Sequence, residues 1–185
     1  MGLVYSLSRI SPVAELQRLH AEHAPAVLAF ERANRAYFAA SISDRGDEYF
    51  EHFADGLGAL LAEQEADIAA YHVLVAEDGS VFGRFNLIFA EPGTAELGYR
   101  VAERAAGHGV ATAAVRELCR LAPTRYSLHT IRAAVADGNV ASQRVLVKSG
   151  FTPVGPADPA HIGGKLGIWY RRELRRPNGS TGTGY

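Results

Sequence analysis

Arg104-Ala105-Ala106-Gly107-His108-Gly109 sets an arginine and two glycines between an alternating apolar run and an amphipathic one. Glycine lets backbone N–H groups approach an anion closely, and a helix N-terminus presents unpaired donors with positive partial charge. The chemistry on offer is the gripping of a phosphate, with a diphosphate as the natural guest. A Rossmann dinucleotide loop does not fit: the third glycine of its fingerprint falls to Thr112, and the loop follows several antiparallel strands. Elsewhere the reactive residue types do not group. His72, His129 and His161 show no metal-ligand spacing with carboxylates or cysteine, so no metal is expected. Cys119 is the one cysteine and has no activating pair in the sequence; it reads as a packed thiol on the apolar side of a helix, and no intrachain disulfide forms.

The phosphate loop needs a strand before it and a helix after it. Ala95 to Val101 alternates as a strand, and Val110, Ala111, Ala114, Val115, Leu118 and Leu121 mark an amphipathic helix that Pro123 is expected to end. Upstream, Val4 to Ile10 suits a first strand. Ser11-Pro12 then reads as a helix start, with Val13, Leu16 and Leu19 as its stripe. Pro25 opens a second helix, and Asn34 to Arg45 reads as a loop with aromatic anchors. Asp47 to Ala69 carries the longest helical signal, with Phe50, Phe53, Leu57, Leu60, Leu61 and Ile68 inward and a kink or close packing at Gly56 and Gly58. Tyr71 to Ala76 and Val81 to Phe89 form a hairpin around Asp78-Gly79, and Pro92-Gly93 turns the chain into the Ala95 strand. After it come a strand from His129 to Val135, a short helix from Asn139 to Ser149 with Gly150 as its C-cap, a strand from Phe151, a loop from Gly155 to Gly167, and a last strand from Ile168 to Leu174. The passage from the Ala95 strand through the helix to the His129 strand is a right-handed parallel crossover. The sheet is therefore mixed, antiparallel first and parallel in the middle.

A chain of 185 residues, 48% hydrophobic and 21% charged, suits one globular domain over 1–174; residues 175–185 read as a polar tail. A net charge of -1 gives no nucleic-acid footprint. No apolar run is long enough to span a membrane, and MGLVYSLSRI lacks a secretory pattern, so the cytoplasm is the expected compartment, with no nucleic-acid or membrane partner. A homodimer is among the assemblies the sequence allows.

Three motifs in order resemble the GNAT superfamily of N-acetyltransferases. Arg104-x-x-Gly107-x-Gly109 is similar to the family's Arg/Gln-x-x-Gly-x-Gly/Ala signature between strand and helix. Glu96-Leu97-Gly98-Tyr99, Asn139-Val140-Ala141-Ser142 and Lys148-Ser149-Gly150-Phe151 resemble the ribosomal-protein N-acetyltransferase branch, the RimJ/RimL-like group. The resemblance is specific over roughly Tyr71 to Phe151 and weaker before it. It implies an α/β GNAT acyl-CoA N-acyltransferase fold, with a mixed twisted sheet of about seven strands flanked by helices.

It also implies acetyl-CoA as co-substrate. Arg104, Ala105, Ala106, Gly107, His108, Gly109, Val110, Ala111 and Thr112 would hold the pyrophosphate. Pantetheine would lie in a gap where the Glu96 strand splays from its parallel neighbour, along Leu97, Gly98, Tyr99, Arg100 and Val101, with a bulge near Gly98-Tyr99 aiming an N–H at the thioester. Asn139 would bond the pantetheine arm, and Arg144 and Lys148 would reach the 3′-phosphate. By the same likeness Glu96 is the base and Ser142 the donor to sulfur; the tyrosine that other members carry on that helix is absent here. The residues taken alone allow plainer roles: Glu96 as a carboxylate paired with Arg100, Ser142 as a helix serine, Asn139 as an N-cap.

The implied reaction is acetyl transfer to a primary amine, with a protein or peptide N-terminus as the favoured acceptor. Alternatives are a small amine such as an aminoglycoside-like antibiotic, to which Asp44, Asp47, Glu48 and Glu51 near a lid would appeal, and a non-catalytic acyl-CoA-binding domain. Tyr37, Phe38, Tyr49 and Phe50 read as core aromatics, with the lining of an acceptor pocket as the alternative, and the Gly155 to Gly167 loop is the stronger acceptor-side candidate.

Overall fold

The alternating runs in the middle of the chain become the centre of one mixed sheet. The structure is a computed structural model that describes residues 4–6, 14–40, 42 and 44–174. Its strands are β1 (Val4–Ser6), β2 (Ala14–Arg18), β3 (Ala69–Ala76), β4 (Val81–Glu91), β5 (Thr94–Val101), β6 (Thr130–Ala136), β7 (Thr152–Pro156) and β8 (Gly167–Glu173). Their order across the sheet is β1-β2-β3-β4-β5-β6-β8-β7. Every neighbouring pair is antiparallel except β5 and β6, which are parallel through the expected crossover.

Eight strands stand where seven were expected, because 14–18 is a strand and not a helix. Leu16 is fully buried while Glu15 and Gln17 flank it, a period of two. Leu16 also lies opposite Leu74, so this segment covers the edge of β3. The three-residue spacing of Val13, Leu16 and Leu19 imitates a helix, and the ladder with β3 overrides it. The proposed helix start at Ser11-Pro12 and the strand from 7 to 10 lie outside the described residues, as does the tail after 174.

Two cores cover the two sheet faces. On one, α5 (Val110–Arg125) and α6 (Val140–Lys148) pack over β4, β5, β6 and β8 through Phe85, Leu87, Leu97, Val115, Leu118, Ile131 and Leu146. On the other, α1 (Ala24–Ala33), α2 (Arg35–Ala39), α3 (Gly46–Glu51) and α4 (Phe53–Glu65) cover β3 and β4 through Val27, Phe30, Phe53, Leu57, Tyr71 and Val73. Strand β3 is buried on both faces, which explains its nearly unbroken apolar run.

The long helix expected from Asp47 breaks at His52. Gly56 and Gly58 are not sites of close packing, since a Cβ at either would meet nothing within 4 Å. Ile68 lies beyond the helix and is exposed. Pro123 sits inside α5, which runs two residues further. Proline removes one backbone donor there, and burial of Pro123 holds the last turn while the Tyr126 and Leu128 N–H groups both donate to the Ala122 carbonyl. No described helix is long and apolar enough to cross a membrane.

Candidate active site

β5 and β6 begin side by side and then part. Their pairing runs only over Thr94↔Thr130, Ala95↔Ile131 and Glu96↔Arg132, although β5 continues to Val101. From Leu97 onward the β6-facing edge of β5 has no strand partner, so its backbone N–H and C=O groups are open to a ligand. The other edge stays paired with β4 in regular register, Asn86↔Gly98 and Phe85↔Tyr99. The bulge expected at Gly98-Tyr99 is therefore absent; the irregularity in this ladder lies between Phe89 and Glu91.

At the end of β5 a 3-10 turn over Glu103–Ala105 leads into the glycine loop. Asn34, at the C-terminus of α1, anchors that turn by accepting from the Glu103 N–H at 2.9 Å. Gly107 and Gly109 both have φ near +78°, the left-handed region that glycine enters without strain. Gly109 is the N-cap of α5 and gives it no side-chain cap, so the first N–H groups of that helix remain available to an anion. A side chain on either glycine would meet nothing within 4 Å, which describes an open cradle rather than a packed turn.

Beside this loop lies a cavity of about 400 Å³. Of the residues singled out in the sequence, Tyr99, Arg100, Val101, Ala105, Ala106, Gly107, Gly109, Val110, Ala111, Thr112, Asn139, Ser142, Arg144 and Lys148 line it. Tyr37, Phe38 and Ile42 close it from the α2 side, so the first two aromatics face the cavity while Tyr49 and Phe50 pack against each other. Leu97, Gly98, Arg104, His108 and Glu96 do not line it. The Leu97 side chain is in the core. Arg104 turns to the β3–β4 hairpin, where it stacks 4.4 Å over Phe82 and donates to Ser80 Oγ.

Asn139 caps α6, its Oδ1 accepting from the Ser142 N–H at 3.1 Å, so a ligand would meet its amide nitrogen. Ser142 Oγ lies 2.8 Å from Tyr99 Oη, and either hydroxyl can donate. Burial pushes the Tyr99 phenol up to about 12, partly opposed by the bond to Ser142. This phenol therefore keeps its proton at neutral pH. A tyrosine from the strand thus reaches the serine on the helix. The sequence held one signal for this, the alternation that puts Tyr99 on the same face as Leu97 and Val101.

The opposite face of β5 carries Glu96, Gly98 and Arg100. Glu96 is not paired with Arg100. It accepts from Arg132 Nη2 at 2.7 Å through Oε1, because parallel register places the two residues side by side. Arg132 is held in turn by the Trp169 ring, 5.0 Å away. Arg100 instead donates to Glu31 Oε2 at 3.0 Å, and Arg84 donates to Glu31 Oε1 at 2.6 Å. Glu31 is 2% exposed, and its partners are 53 and 69 residues away in the chain. No local pattern in the sequence points to this triad. Asp44 and Asp47 are both bonded to Arg35, which holds the Asp44 carboxyl below the usual carboxylate range.

A model of the acetyltransferase (GNAT) domain matches residues 14–152. The chain belongs to the GNAT acetyltransferases. It is thus an acetyl-transferring enzyme. The probable N-acetyltransferase YjcK of Bacillus subtilis (strain 168) is 30% identical over 138 residues, covering 70% of this chain and 75% of that protein. Among solved structures, the ribosomal-protein-S5-alanine acetyltransferase from Vibrio fischeri aligns with a TM-score of 0.83 at 20% identity, over 93% of this chain and 97% of that one. The microcin C7 self immunity acetyltransferase MccE, solved with acetyl-CoA and AMP, aligns with a TM-score of 0.79 at 15% identity, over 91% and 94%. This GNAT enzyme shares their fold, and the parted β5 and β6 strands with the glycine loop at their end are the features its sequence motifs specify.

Proposed function

We propose that the protein moves an acetyl group from acetyl-CoA to a primary amine, with a protein or peptide N-terminus as the favoured acceptor, by direct attack. The observation that carries this reading is the early end of the β5–β6 pairing beside the uncapped start of α5. The open edge of β5 suits the amide groups of pantetheine, and the loop from Arg104 to Thr112 suits a diphosphate. Arg144 and Lys148 supply positive charge on the same cavity wall.

Acetyl-CoA brings an acetyl group on a thiol leaving group. An amine attacks only when neutral, so a base must take its proton as the carbon–nitrogen bond forms. Glu96 fills that role in this reading. Arg132 holds Oε1, which fixes the carboxylate and leaves Oε2 to accept the proton, directly or through one water. As the carbon–sulfur bond breaks, Ser142 donates a hydrogen bond or a proton to the sulfur. Tyr99, bonded to Ser142 and protonated at neutral pH, can replace that proton.

The test is turnover of a panel of peptide N-termini and small amines, read as free thiol. Glu96→Gln is expected to lower kcat by about a hundredfold or more, the usual scale for a lost general base. Ser142→Ala and Tyr99→Phe are expected to lower kcat more than the KM for acetyl-CoA. Full turnover in both Glu96→Gln and Ser142→Ala would overturn the assignment. A wild type that is thermally stabilised by acetyl-CoA yet acetylates nothing would replace it with a non-catalytic acyl-CoA-binding role.

A further inference from the structure

Positive charge is in excess where α1 and α2 cross β4 and β5. Glu31 has both carboxylate oxygens engaged, one by Arg84 and one by Arg100, so two guanidinium groups share one carboxylate. Arg84 is enclosed, while Arg100 is 19% exposed and lies over the Phe38 ring at 5.2 Å. Arg45 stands nearby over Tyr49, and Arg35 is already answered by Asp44 and Asp47. Burial lowers the pKa of Arg100; Glu31 opposes this, and Arg45 and Arg84 add to it. Arginine nevertheless stays charged at neutral pH. Arg100 also stands in the wall shared by the large cavity and a small one beneath α2. Among the described residues no second carboxylate is bonded to either arginine.

The strip of β5 that ends at Arg100 is shaped for a small extended molecule. Glu96, Gly98 and Arg100 project from the same face at two-residue steps, about 7 Å each. Gly98 is exposed, and a Cβ there would meet nothing within 4 Å. Directly across from Gly98, Asn86 holds a buried Oδ1 with no hydrogen-bond partner. A buried acceptor left empty is unfavourable, and an amine N–H is a partner that would satisfy it.

We infer that the acceptor carries a carboxylate close to its reactive amine, and that Arg100 receives this carboxylate while the amine lies over Gly98, between Asn86 and Glu96. This rests on Glu96 serving as the base. One strand step of about 7 Å separates Gly98 from Arg100, and one extended residue spans about 3.5 Å plus its side chain, so an Asp or Glu at the second position of a peptide N-terminus fits the distance.

The experiment uses two peptides that differ only by Asp or Asn at their second residue, with acetyl-CoA, at low and high salt. Wild type is expected to favour the acidic peptide by roughly tenfold in kcat/KM, through KM, since a hydrogen-bonded charge pair is worth about that factor. Salt is expected to shrink the ratio. Arg100→Gln is expected to bring it close to one, and Arg100→Lys to restore part of it. Equal use of the two peptides by wild type, or an unchanged ratio in Arg100→Gln, overturns the subsite. Should Arg100→Gln fail to fold, the Lys variant and the salt dependence of the wild-type ratio decide. Binding of both peptides to the protein loaded with free CoA, followed by calorimetry, separates the two readings. Preferential binding without turnover keeps the subsite and removes the catalytic assignment. Equal binding with good turnover does the reverse.

Discussion

Glu31→Gln probes the buried carboxylate shared by Arg84 and Arg100 without changing its shape. The carboxylate is 2% exposed and holds Arg84 at 2.6 Å and Arg100 at 3.0 Å. Neutralising it leaves two guanidinium groups facing each other in a poorly solvated space. Removing one partner of a buried ion pair typically destabilises by 3–5 kcal/mol, because the remaining charge is uncompensated. Gln keeps the volume and one acceptor oxygen, so about 3 kcal/mol is the expected loss. In a domain of this size that lowers Tm by roughly 6–12 °C. The assay is thermal unfolding by circular dichroism for Glu31→Gln, Arg84→Met and the double variant. The cycle should return a coupling of at least about 1.5 kcal/mol, since the double variant removes one cation together with the anion. A Tm drop below about 2 °C with no coupling would show that the triad is solvated and energetically idle. The excess of positive charge at Arg100 would then lose its physical basis.

Other consequences follow from the same structure. His72 is buried against Tyr126, its Nε2 2.8 Å from the phenol, and burial lowers its pKa from 6.5 to about 4. The unfolded chain takes up this proton below 6.5 and the folded one does not until about 4. Stability from this residue is therefore fully present above 6.5 and declines as pH falls toward 4, by up to about 3 kcal/mol; urea midpoints across this range should fall less steeply in His72→Phe than in wild type, with His23, also lowered to about 4 by burial, supplying the remaining slope. Gly109→Ala places a Cβ in open space but at φ +78°. Strain of about 1–2 kcal/mol should lower Tm by roughly 2–8 °C, and coenzyme A binding by calorimetry should weaken; an unchanged affinity would show that the loop does not hold the nucleotide.

Local patterns carried most of the architecture. Asp78-Gly79 made the hairpin, Gly107 and Gly109 took positive φ, Asn139 capped its helix, and Gly150 closed it with φ +82°. Each depends on backbone conformations set within a few residues. The errors have a common origin. The segment 14–18 became a strand because β3 offered an edge, and Pro123 stayed helical because it is buried in the last turn of α5. In each case a distant partner decided between local options of similar energy.

The sequence by itself determined the chain's class, the glycine loop between β5 and α5, and the run of strands and helices from β3 onward. Glycine, proline and capping residues act on the backbone next to them. Tertiary structure alone decided the electrostatics. Glu96 turned from Arg100 to Arg132, Arg100 joined Arg84 around Glu31, and the Tyr99 hydroxyl met Ser142 from across the cavity. Coulombic and hydrogen-bond energies depend on separation in space and on the exclusion of water. Both are set only when segments 36 to 69 residues apart are packed against the same sheet.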